Sequence, residues 1–428
     1  MVDRLVADAD RGQGPASVPM VANRRKRLLW WTVRYRLTPW WAKVVLVFIA
    51  SRVVTTLIML GFANIQAANP WTGPKPDLFA FSSIWDSYWY YIVAVSGYPA
   101  HLPMIGPHVG QSAWAFLPGF PLVLRGFISI GFPADIAGVY ISLLFSIGAT
   151  LLFYRLMARV LPAGTALFAV VLFCVGPTSP ILQVGYAESM QLFFLFWALL
   201  LFQSRRYYLM IPVIAAAALT RPSGLAFAVM LLIHLLYRIV ARRRDPFPWS
   251  QRIAVVVTGL VSAFLGVLWS IVAWIGTGSP TAYTDTELAW RADYIGYQQL
   301  VPFQPWFLGA KWWLGWLAVP SEVAAVLGPV VVVALVGLFV GILFLPSIRR
   351  LGLELRVWMA GYGVYLLAVF FPQSSTFRLL MPLAPALGGL AQVRPLGGKL
   401  ALVAAGIVGQ IAWMWIAWWV NGSDWSPP

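Results

Sequence analysis

Apolar runs of about twenty residues recur along this 428-residue chain, most of them closed by a cluster of arginines. As a helix, a run of that length crosses the roughly 30 Å of hydrocarbon in a bilayer. Inside lipid no water is available to satisfy backbone N–H and C=O groups, so a segment of this length and pattern has to be helical. The pattern predicts an all-α polytopic membrane protein. Hydrophobic residues make up 60% of the chain and charged ones only 10%, against about half and a quarter in soluble domains. That excludes a water-soluble enzyme and an aqueous disordered chain.

The arginine clusters also predict the threading. Basic residues collect in cytoplasmic loops, and here they occur at Arg155 and Arg159, Arg205-Arg206, Arg238 with Arg242–Arg244, Arg349-Arg350 with Arg356, and Arg394 with Lys399. They mark returns between spans expected at 43–65, 135–157, 163–183, 187–203, 206–220, 222–241, 251–276, 323–346, 354–372, 379–393 and 399–420. About eleven helices put a basic N-terminal segment (1–42) in the cytoplasm and a tail (421–428) outside. The first span, preceded by Arg24, Arg25, Lys26 and Arg27, reads as uncleaved. The segment from Trp114 to Ile130 is apolar enough for a twelfth span, but making it one inverts every later cluster. Its two prolines and Arg125 fit a short helix or re-entrant piece instead.

The formal charge of +16 is thus topology, with a lipid bilayer as the partner and no nucleic acid. Arginine outnumbers lysine 25 to 5, which with much Ala, Val and Gly fits a high-GC bacterial genome and a cell-membrane location. The single Cys174 rules out an internal disulfide. No internal repeat or phosphate-cradling glycine loop is present.

Two long connections, 66–134 and 277–322, fall on the outer side and are rich in Trp, Tyr, Pro and Gly. The run Lys311-Trp312-Trp313 to Trp316 suits an interfacial helix. Once the topology charges are set aside, the remaining ionisable residues gather on that side. They are Asp77, Asp86, Arg125, Glu188, Arg221, Arg378, Asp285, Glu287, Arg291 and Asp293, with Arg52 inside the first span. Such groups at membrane depth pair with one another or do work, and together they read as the lining of an outward-facing cavity or as salt bridges that pin loops. His101, His108 and His234 are scattered, so neither a zinc site nor a Ser-His-Asp site is expected. No cofactor is expected, although Asp77, Asp86 and Glu188 offer oxygen ligands to a divalent cation.

A carboxylate can take a proton from a hydroxyl nucleophile, and arginine suits a phosphate leaving group. The most informative stretch is Ile84-Trp85-Asp86-Ser87-Tyr88-Trp89-Tyr90-Tyr91. On a helix Asp86, Trp89 and Tyr90 share one face, which suits a sugar or simply an interfacial aromatic helix. Asp77, in the extended stretch set by Pro74 and Pro76, is the rival base.

Four ordered elements carry a family resemblance: Trp85-Asp86 with Gly97-Tyr98; Phe116 to Arg125 with Pro118 and Pro121; Tyr186-Ala187-Glu188-Ser189; and Leu219-Thr220-Arg221 to Gly224. Together they resemble the PIG-V type mannosyltransferases, which add the second mannose in GPI-anchor synthesis, and their bacterial relatives. The chain departs from the family pattern at Leu117, Gly119, Ala187 and Pro222-Ser223, and its C-terminal half matches only in general style. The resemblance implies a GT-C fold and an inverting transfer from a polyprenyl-phosphate sugar to a glycolipid, lipoglycan or protein acceptor. It also implies Asp86 as catalytic base. Arg221, Arg378 and Arg125 are the residues expected to grip the donor phosphate. Glu188, Trp85, Trp89, Tyr90, Tyr186 and Asp77 are the expected substrate-binding set. A flippase or transporter of a lipid-linked sugar is the alternative, and a non-catalytic assembly subunit is a third reading.

Overall fold

The computed structural model describes residues 30, 34 and 37–421. Most of the basic N-terminal segment and the tail after Asn421 lie outside the described residues. The chain is about 74% helical, and the only strands among the described residues form a two-residue hairpin, Met104–Ile105 against His108–Val109. In chain order the principal helices are α1 (Trp40–Ile65), α2 (Asp86–Ser96), α3 (Gly119–Ser129), α4 (Ala134–Ala158), α5 (Ala163–Val175), α6 (Glu188–Gln203) and α7 (Tyr207–Thr220). The second half holds α8 (Gly224–Val240), α9 (Trp249–Thr277), α10 (Ala282–Ala289), α11 (Pro305–Trp316), α12 (Ser321–Phe344), α13 (Leu353–Val369) and α14 (Leu396–Trp413).

Prolines set many of these starts. Pro39, Pro133, Pro162, Pro248, Pro320 and Pro395 are the residues immediately before α1, α4, α5, α9, α12 and α14, with φ between −54° and −66°. Their ring fixes that φ, and the N–H they lack is one that no helix would have used. Six helical segments among the described residues are long and apolar enough to cross a bilayer: α1, α4, α8 with its following turn, α9, α12 and α14 with its continuation to Trp418. The outward stripe of α1 shows why. Leu46, Ile49, Val53, Leu57 and Leu60 recur at helical spacing and are exposed, a continuous apolar face that water would not tolerate. The segment expected to stay short does so: α3 has 11 residues, too few for the roughly twenty that a span needs.

In the middle of the bundle α4 packs on α6, α6 on α7, α7 on α9, and α8 on both α9 and α13. The α8–α9 contact depends on Gly224 and Gly266, since a Cβ on Gly224 would stand 2.5 Å from the Gly266 nitrogen. This approach ties the start of α8, just past the turn holding Arg221, to the middle of α9.

Arg52, inside the first span, is buried and structural. Its guanidinium donates to the carbonyls of Ser179 (2.7 Å) and Cys174 (2.8 Å) and to the side-chain oxygen of Gln183 (3.2 Å). It thereby satisfies the Cys174 carbonyl, left open where α5 ends at Val175, and ties it to the following turn Ser179–Gln183. Cys174 is buried, as packing predicts. On α11, Trp306 and Trp313 donate their indole N–H groups to the carbonyls of Leu366 and Pro372. Part of this aromatic helix is therefore anchored on protein, and Trp316 is exposed.

Candidate functional site

The four sequence elements meet through the backbone before any charge is considered. The Ser87 hydroxyl donates to the Gly185 carbonyl at 3.0 Å, and the Asp86 N–H donates to the Tyr186 hydroxyl at 3.2 Å. The Tyr98 hydroxyl donates to the Phe116 carbonyl at 2.8 Å. Gly119 lies against the end of α7, where a Cβ would stand 2.8 Å from both the Leu219 carbonyl and the Thr220 hydroxyl. These contacts place the starts of α2 and α6 beside the end of α7.

Helix ends then decide the signs of charge. Asp86 is the first residue of α2 and Glu188 the first of α6, while Arg221 caps the end of α7. Carboxylates at helix N-termini and a cation at a C-terminus each sit where the helix dipole favours them. Arg378 joins from the short turn Thr376–Leu379.

The result is a four-member ion cluster. Arg378 Nη1 lies 2.5 Å from Asp86 Oδ2 and 3.3 Å from Glu188 Oε1. Arg221 Nη2 pairs with Glu188 and approaches Asp86 Oδ2 at 3.7 Å. Glu188 and Arg378 are 3% and 7% exposed; Arg221 and Asp86, at 14% and 17%, form the more open side. Two positive and two negative charges balance, so the cluster tolerates burial that a single ion would not. The Arg378 guanidinium also lies over the Tyr186 ring, 5.1 Å from its centroid. Polar capacity remains: Glu188 Oε2, Arg221 Nε, Arg378 Nε and Gln373 Oε1 are buried without a hydrogen-bond partner.

Asp86, Arg221 and Arg378 open onto a cavity of about 150 Å³ that also reaches Glu287, Trp290 and Arg291. Beside it lies a chamber of about 420 Å³ that shares Arg221, Glu287 and Arg291 and adds Tyr283, Tyr362 and Tyr365. Burial pushes the Glu287 carboxyl above the ordinary range, against the opposing pull of the Arg291 guanidinium. Arg291 is itself held by a 2.8 Å bond to the Val369 carbonyl at the end of α13.

The aromatic residues of the α2 segment divide by depth. Trp85 is buried, donates its indole N–H to the Trp418 carbonyl and packs on Trp71. Its φ of 59° lies in a region costly for a bulky side chain, on the order of 1–3 kcal/mol, and it immediately precedes Asp86. Tyr90 is buried against Phe116, Phe120 and Tyr186. Trp89 stacks on Phe116 and meets the edge of Trp290, a wall of the smaller cavity.

Trp85, Trp89, Tyr90 and Tyr186 pack beside the cluster without lining either cavity, and two expected charged members are not brought in at all. Asp77 caps the turn Leu78–Phe81, accepting from the Ala80 N–H at 2.8 Å, and lines neither cavity. Arg125 lies exposed on α3 and also lines neither. Glu287 and Arg291, expected only as members of the outer-side ionisable set that lines a cavity or pins loops, border both cavities. The signal for them was their spacing, since Tyr283, Glu287 and Arg291 repeat every four residues and so share one helical face. Among the described residues, no three His, Cys, Asp or Glu side chains gather as a metal site. Comparison with protein-family models and with curated proteins found no match to this chain.

Proposed function

We propose that this chain is an inverting glycosyltransferase of GT-C type, with about eleven transmembrane helices. It would move a sugar, mannose by the family resemblance, from a polyprenyl phosphate to a glycolipid, lipoglycan or protein acceptor. The observation that carries the proposal is the ion cluster: two carboxylates and two guanidiniums from four distant stretches, buried together beside a cavity. The cluster lies where α6 begins and α7 ends, while Arg159 and Arg206 lie at the other ends of the bundle's helices. With arginines toward the cytoplasm, the N-terminus is cytoplasmic and the cluster faces outward.

The chemistry follows from what each group can exchange. In the cluster both ion pairs of Asp86 use Oδ2, and a carboxylate held by two guanidiniums is a poor base. A donor phosphate offers Arg221 and Arg378 an alternative anion, with bidentate geometry suited to guanidinium. As they turn to it, Asp86 is released to accept the proton of the acceptor hydroxyl. The acceptor oxygen bonds to the anomeric carbon while the bond from that carbon to the phosphate oxygen breaks. The electron pair leaves with polyprenyl phosphate, whose added charge the two arginines stabilise. Attack opposite the leaving group inverts the anomeric centre. Glu188, the most buried member, keeps both arginines in place, and the tyrosine-lined chamber beside Glu287 receives the second substrate.

The test is incubation of the purified protein in sealed proteoliposomes with labelled polyprenyl phosphomannose and a membrane lipid extract. A new mannosylated product is expected, reduced about 10²–10⁴-fold by Asp86→Asn with expression unchanged. Movement of the donor between leaflets with no new product would overturn the enzyme reading in favour of a transporter. Near-normal transfer by Asp86→Asn would remove Asp86 as the base.

A further inference from the structure

At the ends of α4, α6 and α7 remote from the ion cluster lies an open groove of about 670 Å³, unrelated to the proposed chemistry. Glu188 begins α6 and Gln203 ends it, sixteen residues in all, so about 24 Å of helix separates the two sites. Arg155, Arg159 and Arg206 line the groove together with Trp40, Tyr154 and Trp197, and among the described residues no carboxylate lines it.

The arginines are arranged rather than merely present. The Arg155 guanidinium lies over the Trp40 ring at 4.9 Å, and Trp40 in turn stacks on Tyr154 with an interplanar angle of 4°. Arg159 is fixed through one nitrogen, Nη1, to the Leu200 carbonyl (2.8 Å) and the Ser204 hydroxyl (3.0 Å). The adjacent Arg205 turns away and pairs with Asp245 at 3.1 Å. A carboxylate therefore stands near this end of the bundle, and the groove arginines do not use it. Trp197 is exposed, and with Leu152 and Leu201 it forms an apolar wall.

We infer that this groove binds the anionic headgroup of a membrane phospholipid, with the acyl chains lying along Trp197 and Leu152. Three guanidiniums beside an apolar, aromatic wall complement an anionic amphiphile, and basic pockets between transmembrane helices are suited to such headgroups. The basic stretch Arg24, Arg25, Lys26 and Arg27 carries the same sign as the groove and cannot supply the anion.

The test compares the full chain, purified and delipidated, in phosphatidylcholine nanodiscs with and without phosphatidylglycerol. Retained lipid is read by native mass spectrometry and stability by thermal unfolding. Selective retention of phosphatidylglycerol and a raised unfolding midpoint are expected. Each groove arginine removed should weaken retention about fivefold, at about 1 kcal/mol per basic residue near an anionic surface, so Arg155→Gln with Arg206→Gln gives about thirtyfold. Arg205→Gln should leave retention unchanged, and Arg155→Lys with Arg206→Lys should keep part of it if the double Gln variant does not fold. Equal retention of both lipids, or an Arg205→Gln loss as large as the groove variants', would overturn the inference. Displacement of the lipid by inorganic phosphate alone would make the occupant a free anion and overturn it as well.

Discussion

Glu188→Gln removes one charge from the most buried position of the ion cluster while almost preserving its shape. At 3.3 Å, the attraction between Glu188 and Arg378 is about 5 kcal/mol with an effective dielectric of about 20. The pairing with Arg221 adds to this, and relief of repulsion from Asp86 together with the carboxylate's own desolvation subtracts several kcal/mol. What remains is the penalty of an uncompensated buried cation, about 3–5 kcal/mol. Because Glu188 is only 3% exposed, solvent screening reduces this little, and added salt should change it hardly at all. Unfolding in mixed micelles, followed by tryptophan fluorescence across a denaturant series, measures the loss. Removing the opposite charge as well, in Glu188→Gln with Arg378→Gln, should restore part of the stability and show a coupling of about 0.5–3 kcal/mol. A Glu188→Gln protein within about 0.5 kcal/mol of the parent, the range of ordinary surface changes, would refute the reading of a mutually dependent buried cluster.

Three further expectations use other parts of the structure. Asp77→Ala should cost about 1 kcal/mol through loss of its cap and leave sugar transfer unchanged; a transfer loss as large as that of Asp86→Asn would move the base to Asp77. Burial holds the Glu287 carboxyl above the ordinary 4.5, so the folded chain keeps a proton that the unfolded chain releases, and stability falls as pH rises from about there through the folded value. Glu287→Gln should remove that slope in a pH series of unfolding midpoints, gaining on the parent as pH rises; parallel curves would count against it. Gly266→Val should push α8 away from α9, against Gly224 and Leu225, with a destabilisation of about 1–3 kcal/mol and a larger loss of transfer than a lipid-facing Leu260→Ala.

Much of the architecture was legible because its cause is local. Six of the long apolar runs are helices long enough to span, as lipid leaves the backbone no other partner, whereas the expected runs 163–183 and 379–393 break at Gly176 and into short turns. The six prolines that open helices act through their own rings. The expected ranges 187–203 and 206–220 lie within a residue of α6 and α7. Less was legible in the connections. Asp77 and Asp86 share one loop and one residue type, yet Asp77 satisfies a backbone N–H three residues on, whereas Asp86 meets arginines 135 and 292 positions away. Arg125 sits within a matching motif, but the rotation of α3 turns its side chain outward.

The order of residues alone was enough to specify a membrane helix bundle, its punctuation by arginine and the concentration of the remaining ionisable groups in a few segments. Those are properties of short stretches meeting lipid or water. Which carboxylate pairs with which guanidinium, that Glu287 and Arg291 border the same cavity, and that Arg205 turns away while Arg206 faces a groove were decided only by the packing. They depend on helix rotation and on approaches of a few ångströms, such as Gly224 against Gly266, that no local pattern encodes.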